Sequence, residues 1–115
     1  MKKDNAILDK SKAFALRIIQ LYKYLCENKC PLDLARQVLK SGTSIGANVS
    51  ESICAQSEAD FYCKLYIAYK ETNETSYWLE LLHASGYIDD RSFESIYSDC
   101  GELIKLLASI TKNQK

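Results

Sequence analysis

Apolar residues along this chain recur at helical spacing in four blocks, and helix stops separate the blocks. In the first, Ile7, Phe14, Ile18, Leu21 and Leu25 follow one another at steps of seven, four, three and four, which places them on one helix face. The reading is a helix from about Asn5 to Asn28, ended by Lys29-Cys30-Pro31 because proline cannot continue a helix and biases its predecessor away from one. A second helix starts after Pro31, a residue tolerated in the first turn, and runs to about Ala55. Its seam takes Leu34 or Ala35, Val38, Ser41 or Gly42, Ile45, Val49 and Ile53. Gly42 and Gly46 fall inside it. Each costs roughly 1 kcal/mol against alanine in a helix interior, so a kink is expected near Gly42.

The third helix has the clearest start. Ser57-Glu58-Ala59-Asp60 reads as a variant capping box, with Ser57 accepting from a first-turn amide and acidic groups near the positive end of the helix. Phe61, Leu65, Ala68, Thr72, Thr75, Leu79 and Leu82 then alternate steps of four and three, the seam of a left-handed bundle. Gly86 supplies the stop, and Asp89 or Asp90 caps a fourth helix. The fourth seam is Phe93, Ile96 or Tyr97, Cys100, Leu103, Leu107 and Ile110, with Lys112 to Lys115 expected to fray. There is no sustained period-two alternation and no Asn-Gly or Asp-Gly hairpin turn. Short connections between long helices favour antiparallel neighbours. The fold expected is all-α, a single up-down-up-down four-helix bundle over residues 1–115.

The third helix carries more apolar surface than two neighbours require. Beside its seam, Lys64, Ile67, Glu71, Glu74, Trp78 and Leu81 form a second stripe, and Tyr62, Tyr66, Tyr69 and Asn73 lie along a third. Trp and Tyr on a partly polar stripe suit a protein interface, since they bury large area and keep a polar handle. For any one of these residues the edge of a wide core stripe is an equal reading; for the set, self-association is the expectation. A closed ring of identical bundles would cover the stripe without leaving an open end.

Composition narrows the partners. Fifteen Lys and Arg balance fifteen Asp and Glu, giving zero net charge, so there is no basic surplus of the kind that phosphate binding favours. Five cysteines at irregular spacing make a poor disulfide framework and suit a reducing compartment. No long apolar run follows the charged N-terminus, and no stretch of about 18 apolar residues exists, so neither a secretory signal nor a membrane span is expected. A cytoplasmic location follows as the default.

Candidate chemistry is sparse. Ser44, Asn48 and Glu51 share a face of the second helix, and Lys64, Glu71 and Glu74 share one of the third. If those faces meet, or meet a neighbouring subunit, they form a polar network that fixes register; a ligand-binding cluster is the less favoured alternative. Gly42-Thr43-Ser44-Ile45-Gly46 lacks the spacing and preceding strand of a phosphate loop, and its small residues instead suit close approach of another helix. Cys26 and Cys30 share a face without a second metal-binding pair, His83 is the only histidine, and no Glu-x-x-His pair exists. No catalytic residue, metal ligand or cofactor is assigned, and the chain is not expected to be an enzyme.

Ser41 to Glu51, Ala55 to Phe61, and Lys64 to Leu82 with its Glu-Thr-x-Glu-Thr-x-Tyr-Trp-Leu core resemble the four-helix-bundle proteins encoded within intervening sequences of bacterial 23S ribosomal RNA genes. The resemblance extends over nearly the whole chain. It implies a four-helix bundle that assembles as a homopentamer, with no enzymatic activity. A related branch, the accessory variability proteins of diversity-generating retroelements, forms a basic pentameric barrel that binds nucleic acid and a reverse transcriptase. This chain departs from that branch in having no basic surplus. Two functions follow as expectations: a homo-oligomeric scaffold or adaptor for a protein partner, and an RNA-binding pentamer acting on ribosomal RNA or its precursor. The interface residues expected are Ser44, Asn48, Glu51, Lys64, Glu71, Glu74, Trp78 and Leu81. For RNA, the candidates are Lys2, Lys3, Lys10, Lys12, Arg17 and Lys23, of which Lys3, Lys10 and Arg17 repeat every seven residues; a solvated face balanced by Asp9 and Glu27 is the favoured alternative.

Overall fold

A computed structural model describes the backbone of residues 2–112 and the side chains of residues 6–112. Four helices follow in order: α1 (Lys2–Glu27), α2 (Leu32–Ile53), α3 (Glu58–Ala84) and α4 (Asp90–Lys112). Consecutive helices pack on one another and α1 also meets α4, which closes an all-α bundle measuring 44 × 21 × 20 Å. Among the described residues there is no strand. Of the segment expected to fray, Lys112 is the last helical residue, and Asn113 to Lys115 lie outside the described residues.

The connections are short because each helix end is closed by its own chain. After α1, Lys29 enters the left-handed region at φ 62°, the amide of Cys30 reaches back to the Leu25 carbonyl at 3.0 Å, and that of Lys29 reaches Cys26 at 3.4 Å. This pair of bonds is a Schellman closure, so the stop precedes Pro31, which then serves as the N-cap of α2. Gly86, at φ 84°, closes α3 in the same way, with Tyr87 bonded to Leu82 at 2.9 Å and Gly86 to His83 at 3.1 Å. Ser57 accepts from the Asp60 amide at 3.1 Å and so starts α3; the Asp60 carboxylate reaches past it to the Gln56 amide at 3.2 Å. Asp89 accepts from the Ser92 amide at 2.7 Å and caps α4.

The core follows the seams, with two departures. Ile7, Phe14, Ile18 and Leu25 of α1 are buried, and Ser11 fills the position between Ile7 and Phe14. On α2 the seam continues from Val49 to buried Ser52, whose hydroxyl is satisfied by the Val49 carbonyl at 2.6 Å, while Ile53 stands 51% exposed. A step of three keeps Ser52 on the core side of an untwisted helix; a step of four takes Ile53 past it toward solvent. Within α3, Leu65, Ala68, Thr72, Thr75, Leu79 and Leu82 are buried, and within α4, Ile96, Cys100, Leu103 and Leu107.

The glycines of α2 lie in unbroken helix and face α1. A Cβ on Gly42 would stand 2.7 Å from Ile18 Cγ1, and one on Gly46 would stand 3.4 Å from the Ser11 carbonyl oxygen. Small residues here let two backbones approach closely. Across the other side of α2, buried Ser41 and Thr75 join α2 to α3 with their hydroxyls 2.9 Å apart. Thr75 also donates to the Glu71 carbonyl at 2.8 Å, so its single proton serves that bond while Ser41 donates to it.

Candidate functional site

Along the face shared by α2 and α3 the expected polar residues make one contact between the two helices. Two of them meet across it: Lys64 Nζ lies 3.2 Å from Glu51 Oε1, and this pairing holds the lysine more firmly protonated than usual. The remaining contacts run along single helices. Ser44 Oγ donates to the Lys40 carbonyl at 2.7 Å and Asn48 Nδ2 to the Ser44 carbonyl at 2.9 Å. On α3, Trp78 Nε1 donates to Glu74 Oε2 at 3.0 Å. Glu71, half-buried two turns before Trp78, has its carboxyl pushed above the ordinary range, first by desolvation and then by the neighbouring Glu74; Lys40 and Lys70 oppose the shift. The shared face thus holds one cross-helix ion pair at Lys64, and α3 carries two neighbouring carboxylates toward Trp78.

Beside this face α3 turns several apolar side chains outward. Ile67 is 36% exposed, Tyr66 51% and Tyr77 54%, while Trp78 and Leu81 are half-buried against the core edge. The Tyr77 and Trp78 rings stand edge-on at 5.2 Å, and Tyr66 lies tilted to Tyr69 at 6.0 Å. Tyr62, expected on the same stripe as these tyrosines, packs edge-on against Phe61.

The basic candidates divide. Lys10 Nζ pairs with Glu102 Oε2 at 3.0 Å, and Arg17 pairs with Asp99 Oδ2 at 2.7 Å and donates to Ser95 Oγ at 3.0 Å. Both cations therefore bridge α1 to α4. The sequence signal for this was available only by pairing elements: Lys10 and Arg17 lie seven apart on one helix, and Asp99 and Glu102 three apart on another. Lys12 and Lys23 face outward and join no ion pair among the described residues. The side chains of Lys2 and Lys3 lie outside the described residues.

A second array, joining α3 to α4, escaped the sequence reading. His83 stacks on Phe93 at 4.0 Å with the rings 5° from parallel, and its Nε2 lies 2.7 Å from Asp90 Oδ1. Phe93 stacks in turn on Tyr97, whose hydroxyl donates to Glu80 Oε2 at 2.6 Å. Its two polar contacts both lie within the chain, as expected of a packing device. Cys30 and Cys100 are buried, the latter with its thiol pushed up to about 12 by burial, while Cys26, Cys54 and Cys63 are exposed. Cys30 lies beyond the end of α1, so it does not share a helix face with Cys26. Among the described residues no three His, Cys, Asp or Glu side chains are grouped to hold a metal ion, and no helix is long and apolar enough to cross a membrane.

Residues 3–109 match the family described as 23S rRNA-intervening sequence protein. This chain belongs to that family. A crystal structure of a protein described as of unknown function, from the S23 ribosomal protein family of Bacteroides thetaiotaomicron VPI-5482, is similar over 96% of this chain and 99% of its own. The two share 53% sequence identity and superpose with a TM-score of 0.93. No curated protein matches the chain. The family match reaches into all four helices.

Proposed function

We propose that this intervening-sequence protein is a non-enzymatic homo-oligomeric scaffold, a ring of five bundles in its simplest form, which presents its assembled surface to a protein partner. The observation that supports it is the outward face of α3. Ile67, Glu74, Trp78 and Leu81 lie along one side of a helix whose core needs are already met by Leu65, Ala68, Thr72, Thr75, Leu79 and Leu82. With Tyr66, Ile67 and Tyr77 exposed and Trp78 and Leu81 half-buried, this face mixes aromatic, aliphatic and polar groups as an interface does. Five copies is the ring size implied by the family resemblance. Ser44, Asn48, Glu51, Lys64, Glu71, Glu74, Trp78 and Leu81 are the residues assigned to the interface or its supporting polar network.

The RNA-binding alternative draws on Lys3, Lys10 and Arg17. Two of those cations are engaged by Asp99 and Glu102, which lowers the positive field that α1 can offer to phosphate. The scaffold reading is preferred for that reason. Light scattering on the purified protein tests both, run alone and with a short structured RNA at low and moderate salt. The expected mass is about five times the 13.1 kDa of one chain, unchanged by RNA. Co-elution of RNA that weakens steeply with salt would favour the alternative, and a single-chain mass would overturn the scaffold.

A further inference from the structure

Resting on the ring reading above, we propose that the neighbour covering α3 is the outer face of α1 in a second copy, with Lys12 of one subunit set against Glu71 and Glu74 of the next. Lys12, Leu16, Ile19 and Lys23 follow at steps of four, three and four and form one outward stripe of α1. Leu16 is 58% exposed and Ile19 36%, and the two lysines flank them. The α3 stripe has the reverse composition once Lys64, its one cation, is paired with Glu51: Ile67, Trp78 and Leu81 surround Glu71 and Glu74. Two apolar patches of similar length therefore carry opposite charge.

The heights agree as well. Ile18 packs against Gly42, and the next residue of α2, Ser41, bonds Thr75, so Ile18 and Thr75 stand at nearly the same level along the bundle. Lys12 lies six residues before Ile18, and Glu71 lies four before Thr75. At about 1.5 Å per residue their backbones differ in height by about 3 Å, well within the reach of a lysine side chain. Ile19 and Trp78 differ by the same small amount. In an up-down bundle α1 and α3 also run in the same direction, so a rotation about an axis along the bundle brings α1 of one copy beside α3 of the next in parallel. The contact joins two different faces, which makes it head-to-tail, the geometry that builds rings.

The raised carboxyl of Glu71 fits this arrangement, because Glu71 is half-buried beside Glu74 and pairs with no cation of its own subunit among the described residues. Lys40 and Lys70 reduce the strain without pairing, since neither forms an ion pair among the described residues. A lysine from the neighbouring copy would complete the site.

Charge exchange tests the pairing. Lys12→Glu alters only an exposed position of α1 and should leave helical circular dichroism unchanged while shifting the light-scattering mass from the wild-type ring toward one chain. Glu71→Lys should do the same. Combined in one chain, Lys12→Glu and Glu71→Lys should restore the ring, because every α1–α3 contact is then reversed together. The proposal is overturned if Lys12→Glu keeps the wild-type mass, or if the combined variant assembles no better than the weaker single one. It is also overturned if Lys12→Glu keeps its mass and loses bound RNA, since Lys12 is then a phosphate contact. A wild-type protein of single-chain mass overturns the ring reading itself, an outcome distinct from all of these.

Discussion

Gly42 and Gly101 are both helical glycines, yet their surroundings give them opposite roles. At Gly42 an added Cβ meets three carbons of Ile18 at 2.7 to 3.0 Å, and Ile18 is wholly buried. At Gly101 nothing lies within 4 Å. Gly42→Ala gains about 1 kcal/mol of helix propensity but overpacks the α1–α2 contact at a cost of about 1–3 kcal/mol, so a net loss of about 1 kcal/mol is expected. Gly101→Ala keeps only the gain and should stabilise the fold by about 0.5–1 kcal/mol. Urea denaturation midpoints of the two variants should therefore move in opposite directions, and a shift of both to higher urea would show that α1 yields freely at Ile18. Propensity alone predicts a kink at Gly42. The reason for the glycine is a side chain 24 positions away on another helix, which no local pattern contains.

At the level of the helices, their number and most of their ends were legible in the sequence, because they depend on local chemistry. Ser57, Gly86 and the Asp89-Asp90 pair are each recognised from the residues that follow or precede them. The end of α1 was placed at Lys29-Cys30-Pro31 on the strength of the proline, whereas Lys29 in the left-handed region closes it, a conformation that lysine does not announce. The Lys10 and Arg17 pairs were hidden for a related reason: a seven-residue repeat of cations is visible on α1, but the carboxylates that take them belong to α4. Asp89 offers a direct check on the caps. Hydrogen bonds from the Ser92 amide and hydroxyl lower its carboxyl below the usual range, so the unfolded chain binds that proton more readily than the folded one. The stability it contributes is therefore fully present above the unfolded pKa, about 3.9, and is lost as the pH falls through its lower folded value. Asp89→Ala should lower the melting temperature at pH 7, and the gap from wild type should close on acidification. A gap independent of pH would mean that the cap works without its charge.

For the molecule as a whole, the bundle could be read from four seams because every seam residue answers to a single period, while the site could not, because contacts such as Glu51 with Lys64 cross from one helix to another. The pattern placed Ser44, Asn48 and Glu51 on one face of α2 and Lys64, Glu71, Glu74 and Trp78 on one of α3; the structure pairs Glu51 with Lys64 across them, while the bonds of Ser44, Asn48 and Trp78 stay within their own helices. What covers Ile67 and Leu81 is a question of assembly, and Trp78 is the residue that decides it. Its indole is half-buried, with Nε1 bonded to Glu74 and one edge open beside Tyr77. Trp78→Glu places a third carboxylate beside Glu71 and Glu74, which opposes any apolar or acidic neighbour docking there. Leu79→Ala, one residue on, empties a fully buried core position and should cost about 2–5 kcal/mol of subunit stability. The two variants separate the levels: Trp78→Glu should lower the light-scattering mass while far-ultraviolet circular dichroism and helix content stay near wild type, whereas Leu79→Ala should lower the melting temperature first. If Trp78→Glu unfolds the chain as Leu79→Ala does, the indole belongs to the core of the single bundle, and the outward face of α3 loses the anchor on which the assembly depends.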